Sequence, residues 1–172
     1  MLKTEKNETM NNLLLLLFVV ITAPFFAQQT TNIITPSVNC KQADKSGQWS
    51  DYFSNDRLTI QYKFVSCDPE IGFDQEQVML KMTNHTNDEL KLDWHILLEY
   101  NNECKTCDYP EEYGYHVFLK PNQTREGSCS IHSEAFELKM FSKFLDDRAK
   151  QKDVLTSFAL SEFQITVYPQ QN

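Results

Sequence analysis

Two of the five cysteines, Cys104 and Cys107, stand in a C-x-x-C spacing inside "NNECKTCDYPEEYG", residues 101–114. That spacing supports three chemistries: a redox dithiol, half of a four-cysteine zinc site, or a disulfide. A redox pair needs its thiolate stabilised by a cation or a helix N-terminus. Here Glu103, Asp108, Glu111 and Glu112 surround the pair, Lys105 alone opposes them, and Pro110 follows instead of a helix. Negative neighbours disfavour a thiolate, so the redox reading is the weakest of the three.

Compartment bears on the other two. Leu13 to Phe26 is an apolar run of fourteen residues, short for a membrane-spanning helix and of the right length for the apolar segment of a signal peptide. Cleavage is expected after Ala23 or Ala27. The segment before it carries Lys3 and Lys6 but also Glu5 and Glu8, and a start at Met10 would remove that imbalance. The chain is therefore read as secreted or periplasmic, with residues 1–27 a signal peptide and no membrane association after its removal. An exported protein meets an oxidising environment, which favours disulfides over a zinc site.

The 145 residues after Ala27 carry 14 Lys+Arg and 22 Asp+Glu. A chain of this length can bury a real core as one domain. Its acidity argues against nucleic acid and anionic membrane surfaces as partners, since both select basic patches. Residues 28–56 are polar with few large apolar side chains and read as an extended leader, docking through Trp49, Tyr52 and Phe53. The domain proper is placed at 57–169.

Within it the dominant signal is period two. Leu58, Ile60, Tyr62 and Phe64 alternate with polar residues, as do Val78, Leu80 and Met82. Leu90, Leu92, Trp94, Ile96, Leu98 and Tyr100 do so over eleven residues. Such alternation is the mark of a half-buried strand. "YHVFL" at 115–119 and "FQITVY" at 163–168 repeat it, and the phase of "SFALSEF" slips near Ser161, which predicts a bulge. Segment 135–147 fits helix and strand alike, and its strand neighbours favour strand. The whole predicts an all-β fold: one antiparallel β-sandwich of six to seven strands, immunoglobulin-like in architecture.

The "FFAQ" signal ending, the "LKMTNHTNDELKLDW" strand pair and the cysteine-bearing loop resemble small uncharacterised secreted β-sandwich proteins of Bacteroidetes-type bacteria. The resemblance implies compartment and fold and carries no activity.

Read as hairpins, "NHTND" (84–88) pairs residues whose numbers sum to about 172, and "KPNQT" pairs residues summing to about 244. Gln77 then faces His95, Cys129 faces Tyr115, and Cys67, Cys104, Cys107 and Cys129 meet at one end of the sandwich. Two disulfides are expected there, with Cys67 and Cys129 each bridging into the 101–114 loop, because a Cys104–Cys107 ring is short. Cys40, in the leader, is left to pair between chains or to remain the one reactive thiol.

The same end is acidic: Asp68, Glu70, Asp74 and Glu76 lie in one turn, and Glu103, Asp108, Glu111 and Glu112 in the other loop. These eight are the candidate binding-loop residues. Oxygen ligands on loops could hold calcium, although D-x-E-x-x-x-D-x-E matches no EF-hand. His85, His95, His116 and His132 are scattered, and Ser130 with His132 forms no triad. Asn84 and Asn122, in N-x-T sequences, read as turn residues. No glycine-rich loop, G-x-S-x-G or H-E-x-x-H is present. The reading is a non-catalytic exported module without a cofactor, binding a protein or small ligand through loops at its disulfide-stapled end. The alternative is a metal-binding module, with zinc on the four cysteines or calcium on the acidic loops.

Overall fold

A computed structural model describes residues 28–68, 74–130, 135–150 and 153–169. The signal peptide expected at 1–27, Glu70 and His132 lie outside the described residues. Among the described residues eleven strands form two antiparallel sheets, the all-β two-sheet architecture expected but with more strands than six to seven. The long ones coincide with the alternating segments: β4 (Leu58–Cys67), β5 (Gln75–Asn84), β6 (Glu89–Tyr100) and β11 (Leu155–Tyr168). Around them run β1 (Gln29–Ile33), β2 (Ser37–Asn39), β3 (Ser50–Ser54), β7 (Glu103–Cys104), β8 (Gly114–Leu119), β9 (Thr124–Glu126) and β10 (Lys139–Phe144).

The six-stranded sheet has the order β1-β11-β6-β7, with β2 also on β11 and β8 also on β6. The five-stranded sheet has the order β10-β5-β4-β3, with β9 also on β5. Segment 135–147 divides into a 3₁₀ turn at Phe136–Leu138 and the strand β10. The core fills the space between the sheets with the alternating side chains themselves: Leu58, Ile60 and Phe64 face Leu90, Leu92 and Trp94, all at most 3% exposed.

Three expectations fail here. The stretch 28–56 is no leader but supplies β1 and β2 to β11 and β3 to β4. Edge strands bury few side chains, so Val38, Cys40 and Tyr52 suffice to anchor a segment that otherwise reads as polar. Tyr52 does so from the five-stranded sheet: its hydroxyl donates to the Pro36 carbonyl at 2.7 Å and accepts from the Leu160 amide at 2.9 Å, on the segments of the other sheet.

Neither "NHTND" nor "KPNQT" closes a hairpin. β5 pairs with β4, β9 and β10, while β6 pairs with β11, β7 and β8, so both turns carry the chain from one sheet to the other. Alternation is the same whether a strand returns beside its predecessor or opposite it, so periodicity could not separate the two. What holds the crossovers is Asn84, 1% exposed. Its amide nitrogen donates to the carbonyls of Asp88 (2.8 Å), Leu119 (3.2 Å) and Lys120 (3.0 Å). Its amide oxygen accepts from the Thr86 amide and hydroxyl, both at 2.8 Å. It is thus the turn residue expected, through the Thr86 amide bond, and a buried one that also ties the sandwich end together. Asn84→Ala removes the donors from three carbonyls at the sandwich end and should cost about 2–3 kcal/mol, read as a lower denaturant midpoint.

Candidate functional site

The opening cysteines are oxidised to each other. Cys104 bonds Cys107 and Cys67 bonds Cys129, with Cα separations of 5.7 and 5.5 Å. The four expected cysteines are therefore the disulfide cysteines, but their expected pairing is overturned. Odd-numbered positions of β4 face away from the partner sheet, and Cys67 follows that phase. Its sulfur points to the outer face of the five-stranded sheet, away from the 101–113 loop, which lies on the edge of the other sheet.

On that outer face the chain after β9 runs as a strap. The Gly127 amide donates to the Leu80 carbonyl at 2.9 Å. A Cβ on Gly127 would lie 2.2 Å from the Leu138 carbonyl oxygen, so only glycine passes here. The strap covers Met79, 1% exposed although it sits on the outer side of β5, and Cys129 fastens the strap to Cys67.

The C-x-x-C ring does different work. β8 pairs with β6 only as far as His95, and from Ile96 onward that edge of β6 has, among the described residues, β7 alone as a strand neighbour. The stapled loop fills that edge. Asn101 and Asn102, at φ 55° and 69°, form the two-residue reversal between β6 and β7, the backbone of a type I′ turn. Between the two cysteines Thr106 turns inward, 2% exposed. Its hydroxyl accepts from the Leu98 amide at 2.9 Å and donates to the Ile96 carbonyl at 2.8 Å. The Lys105 amide donates to the Leu98 carbonyl, and the Ile96 amide to the Tyr113 carbonyl. A four-residue ring is short because a single inward-turned threonine is what the strand edge needs. The Asn-Asn pair immediately after the alternating run is the sequence signal for this turn, and it was missed.

The seven candidate carboxylates among the described residues form no single cluster. Glu76 is consumed internally: it accepts from Ser142 at 2.8 Å and pairs with Lys45 at 3.1 Å and Lys143 at 3.8 Å. Glu103 is held below the usual carboxylate range by its hydrogen bond from Lys105. Asp68 and Asp74 are exposed on the turn of the five-stranded sheet; Asp108, Glu111 and Glu112 are exposed on the stapled loop, beside Tyr109 at 55% exposure. Among the described residues no group of three or more His, Cys, Asp or Glu is placed to hold a metal ion. With both cysteine pairs oxidised, the zinc arrangement expected as the alternative has no thiolates to use.

Cys40 is free, one of the two outcomes expected of it, but it is buried and not an accessible thiol. It is 1% exposed within the core, and burial pushes its thiol up to about 11 from 9.0. The thiolate is the reactive form, so Cys40 should be inert to a thiol reagent at neutral pH in the folded protein and react once denatured. Because the unfolded thiol ionises at lower pH than the folded one, the Cys40 contribution is intact below about pH 9 and is lost as pH rises toward 11. A Cys40→Ala variant whose unfolding free energy declines less over that range than the parent's is the expected result.

Among the described residues no helix is long and apolar enough to cross a membrane. No family model, curated protein or solved structure matches this chain.

Proposed function

We propose that the chain is an exported, non-catalytic β-sandwich module that binds a partner through the loop at its stapled end. The observation that carries this reading is the preorganisation of residues 101–113. Their backbone is fixed by the Cys104–Cys107 bond and by the Thr106 and Tyr113 bonds to β6, while Asp108, Tyr109, Glu111 and Glu112 project into solvent. A loop already rigid before binding loses little entropy on association. Tyrosine at its tip supplies contact area with few rotatable bonds. The surrounding carboxylates favour a partner with a basic surface.

Export is supported by the two disulfides, which fit an oxidising compartment, and by the apolar run at 13–26. The non-catalytic reading rests on the cysteines: two pairs are oxidised and the fifth is buried with its pKa raised, so none offers a thiolate nucleophile.

The test is a fourfold substitution of Asp108, Tyr109, Glu111 and Glu112 by serine, all exposed. Cross-linking in intact cells expressing the parent should recover a defined partner with a basic contact surface. The variant should lose that partner while its melting temperature stays within about 2 °C, since exposed substitutions rarely change stability. An identical partner set for parent and variant overturns the loop as the binding surface.

A further inference from the structure

The outer face of the six-stranded sheet is built around a distortion. β11 pairs Ser161 with His95 and then Gln164 with Asp93, so Glu162 and Phe163 together oppose Trp94. This is the bulge that the phase slip near Ser161 predicts. It divides the two side chains. Phe163 goes inward, fully buried, with its ring 6.2 Å from that of Trp94. Glu162, at φ 50°, is thrown outward, and its Oε2 lies 3.0 Å from His95 Nδ1. A non-glycine residue in the left-handed region on a bulge is a feature that re-aims a side chain, and such features gather at sites of function.

The neighbouring positions fit that purpose. Opposite His95 stands Gly114, where a Cβ would lie 3.1 Å from the imidazole Cδ2, so the missing side chain leaves room for the ring. Two ranks of outward side chains then cross the strands. One is His116, Asp93, Gln164 and Asn32; the other is Phe118, Lys91, Thr166 and Thr30. Adjacent members stand roughly 4.8 Å apart, the spacing between strands. An open groove of about 420 Å³ runs over this face from His95 and Glu162 across His116, Asp93 and Gln164 to Lys91. Beyond Glu162 a second groove of about 580 Å³ continues toward Ile34. Next to His116, outside the groove's own lining, Phe118 is 43% exposed, its ring 6.0 Å from that of His116 and 6.2 Å from that of Tyr168.

We propose that this face binds a neutral saccharide chain. Donors and acceptors are interleaved instead of sorted by sign: Lys91 is paired with Asp93 at 2.7 Å and His95 with Glu162. The Lys91–Asp93 pair leaves no net charge to select an ion, and together with the His95–Glu162 contact it offers lone pairs and N–H groups to hydroxyls. An exposed aromatic ring beside them suits the apolar C–H face of a sugar. A protein partner would call for an apolar centre with a polar rim, and here the polar groups occupy the centre.

The experiment is a ¹H–¹⁵N NMR titration of the purified protein with neutral hexasaccharides of the glucose, xylose and mannose series. At least one series should give saturable shifts at His95, His116, Phe118 and Gln164. Phe118→Ala and Glu162→Gln, both at exposed positions, should each weaken binding about tenfold or more, and the fourfold serine variant of the 101–113 loop should leave it unchanged. The proposal is overturned by an absence of shifts at millimolar sugar in all three series or by shifts confined to other surfaces. It is equally overturned by a dissociation constant that neither substitution moves, or by shifts that follow protein concentration in place of sugar.

Discussion

Replacing Cys67 and Cys129 together by serine should lower the free energy of unfolding by about 2–5 kcal/mol. The bond closes a span of 62 residues in sequence, which in the unfolded chain removes far more freedom than a short ring does. It also fastens the strap to the sheet. Without it, the strap keeps the Gly127 amide bond to the Leu80 carbonyl and the Lys139 ammonium bond to the Ser130 carbonyl but loses its covalent tie to β4. Two losses therefore add: the unfolded chain gains conformations, and Met79 gains access to water. Urea unfolding of the parent and of the double variant measures the difference. The corresponding Cys104→Ser/Cys107→Ser variant should lose less, because its ring spans a sequence separation of only 3 and Thr106 still has its two bonds to β6. A larger loss from the short ring than from the long one would mean that the edge of β6, and not the strap, limits stability.

Trp94→Ala should cost about 3–5 kcal/mol, the range for a large aromatic removed from a packed core. Trp94 is 2% exposed and packs its ring against those of Phe163 and Tyr115, at 6.2 and 6.1 Å. Its indole nitrogen is buried and makes no hydrogen bond among the described residues. Trp94→Phe should accordingly cost much less than Trp94→Ala, since the ring's packing is largely kept and no hydrogen bond is lost. Denaturant midpoints of the two variants test this as a pair. Equal losses would show that the nitrogen is bonded after all, and no loss in Trp94→Ala would place the alternating face of β6 in solvent.

Alternation carried most of the fold that could be read from the sequence. Leu58 to Phe64 and Leu90 to Tyr100 have one side buried, and burial on one side writes itself as period two. Even the bulge at Ser161 was visible, because the extra residue shifts the phase of everything after it. What alternation does not encode is which strand lies beside which. Asn84 fixes both crossovers through carbonyls 4 and about 35 residues away, and nothing in "NHTND" itself announces a buried asparagine. The polar strands at 29–54 were missed for a related reason: at a sheet edge one buried side chain, such as Tyr52, holds a strand that otherwise faces water.

The disulfides failed at the same point. The four participating cysteines followed from compartment and number. Their pairing depended on the hairpins, and once both presumed hairpins became crossovers the argument for bridges into the 101–114 loop had no support. Glu162 escaped notice because a lone glutamate in a strand carries no signal until its backbone conformation is known.

Proteolysis of the unreduced, alkylated protein followed by mass spectrometry tests the central claim, that the C-x-x-C is a local staple. A fragment holding Cys104 and Cys107 should appear two hydrogens lighter than its reduced form and linked to nothing else. A second species should join the Cys67 and Cys129 peptides, and Cys40 should carry alkyl label only when the protein was denatured first. Any peptide joining Cys67 or Cys129 to the 101–114 segment, or five labelled thiols in the untreated protein, would contradict it.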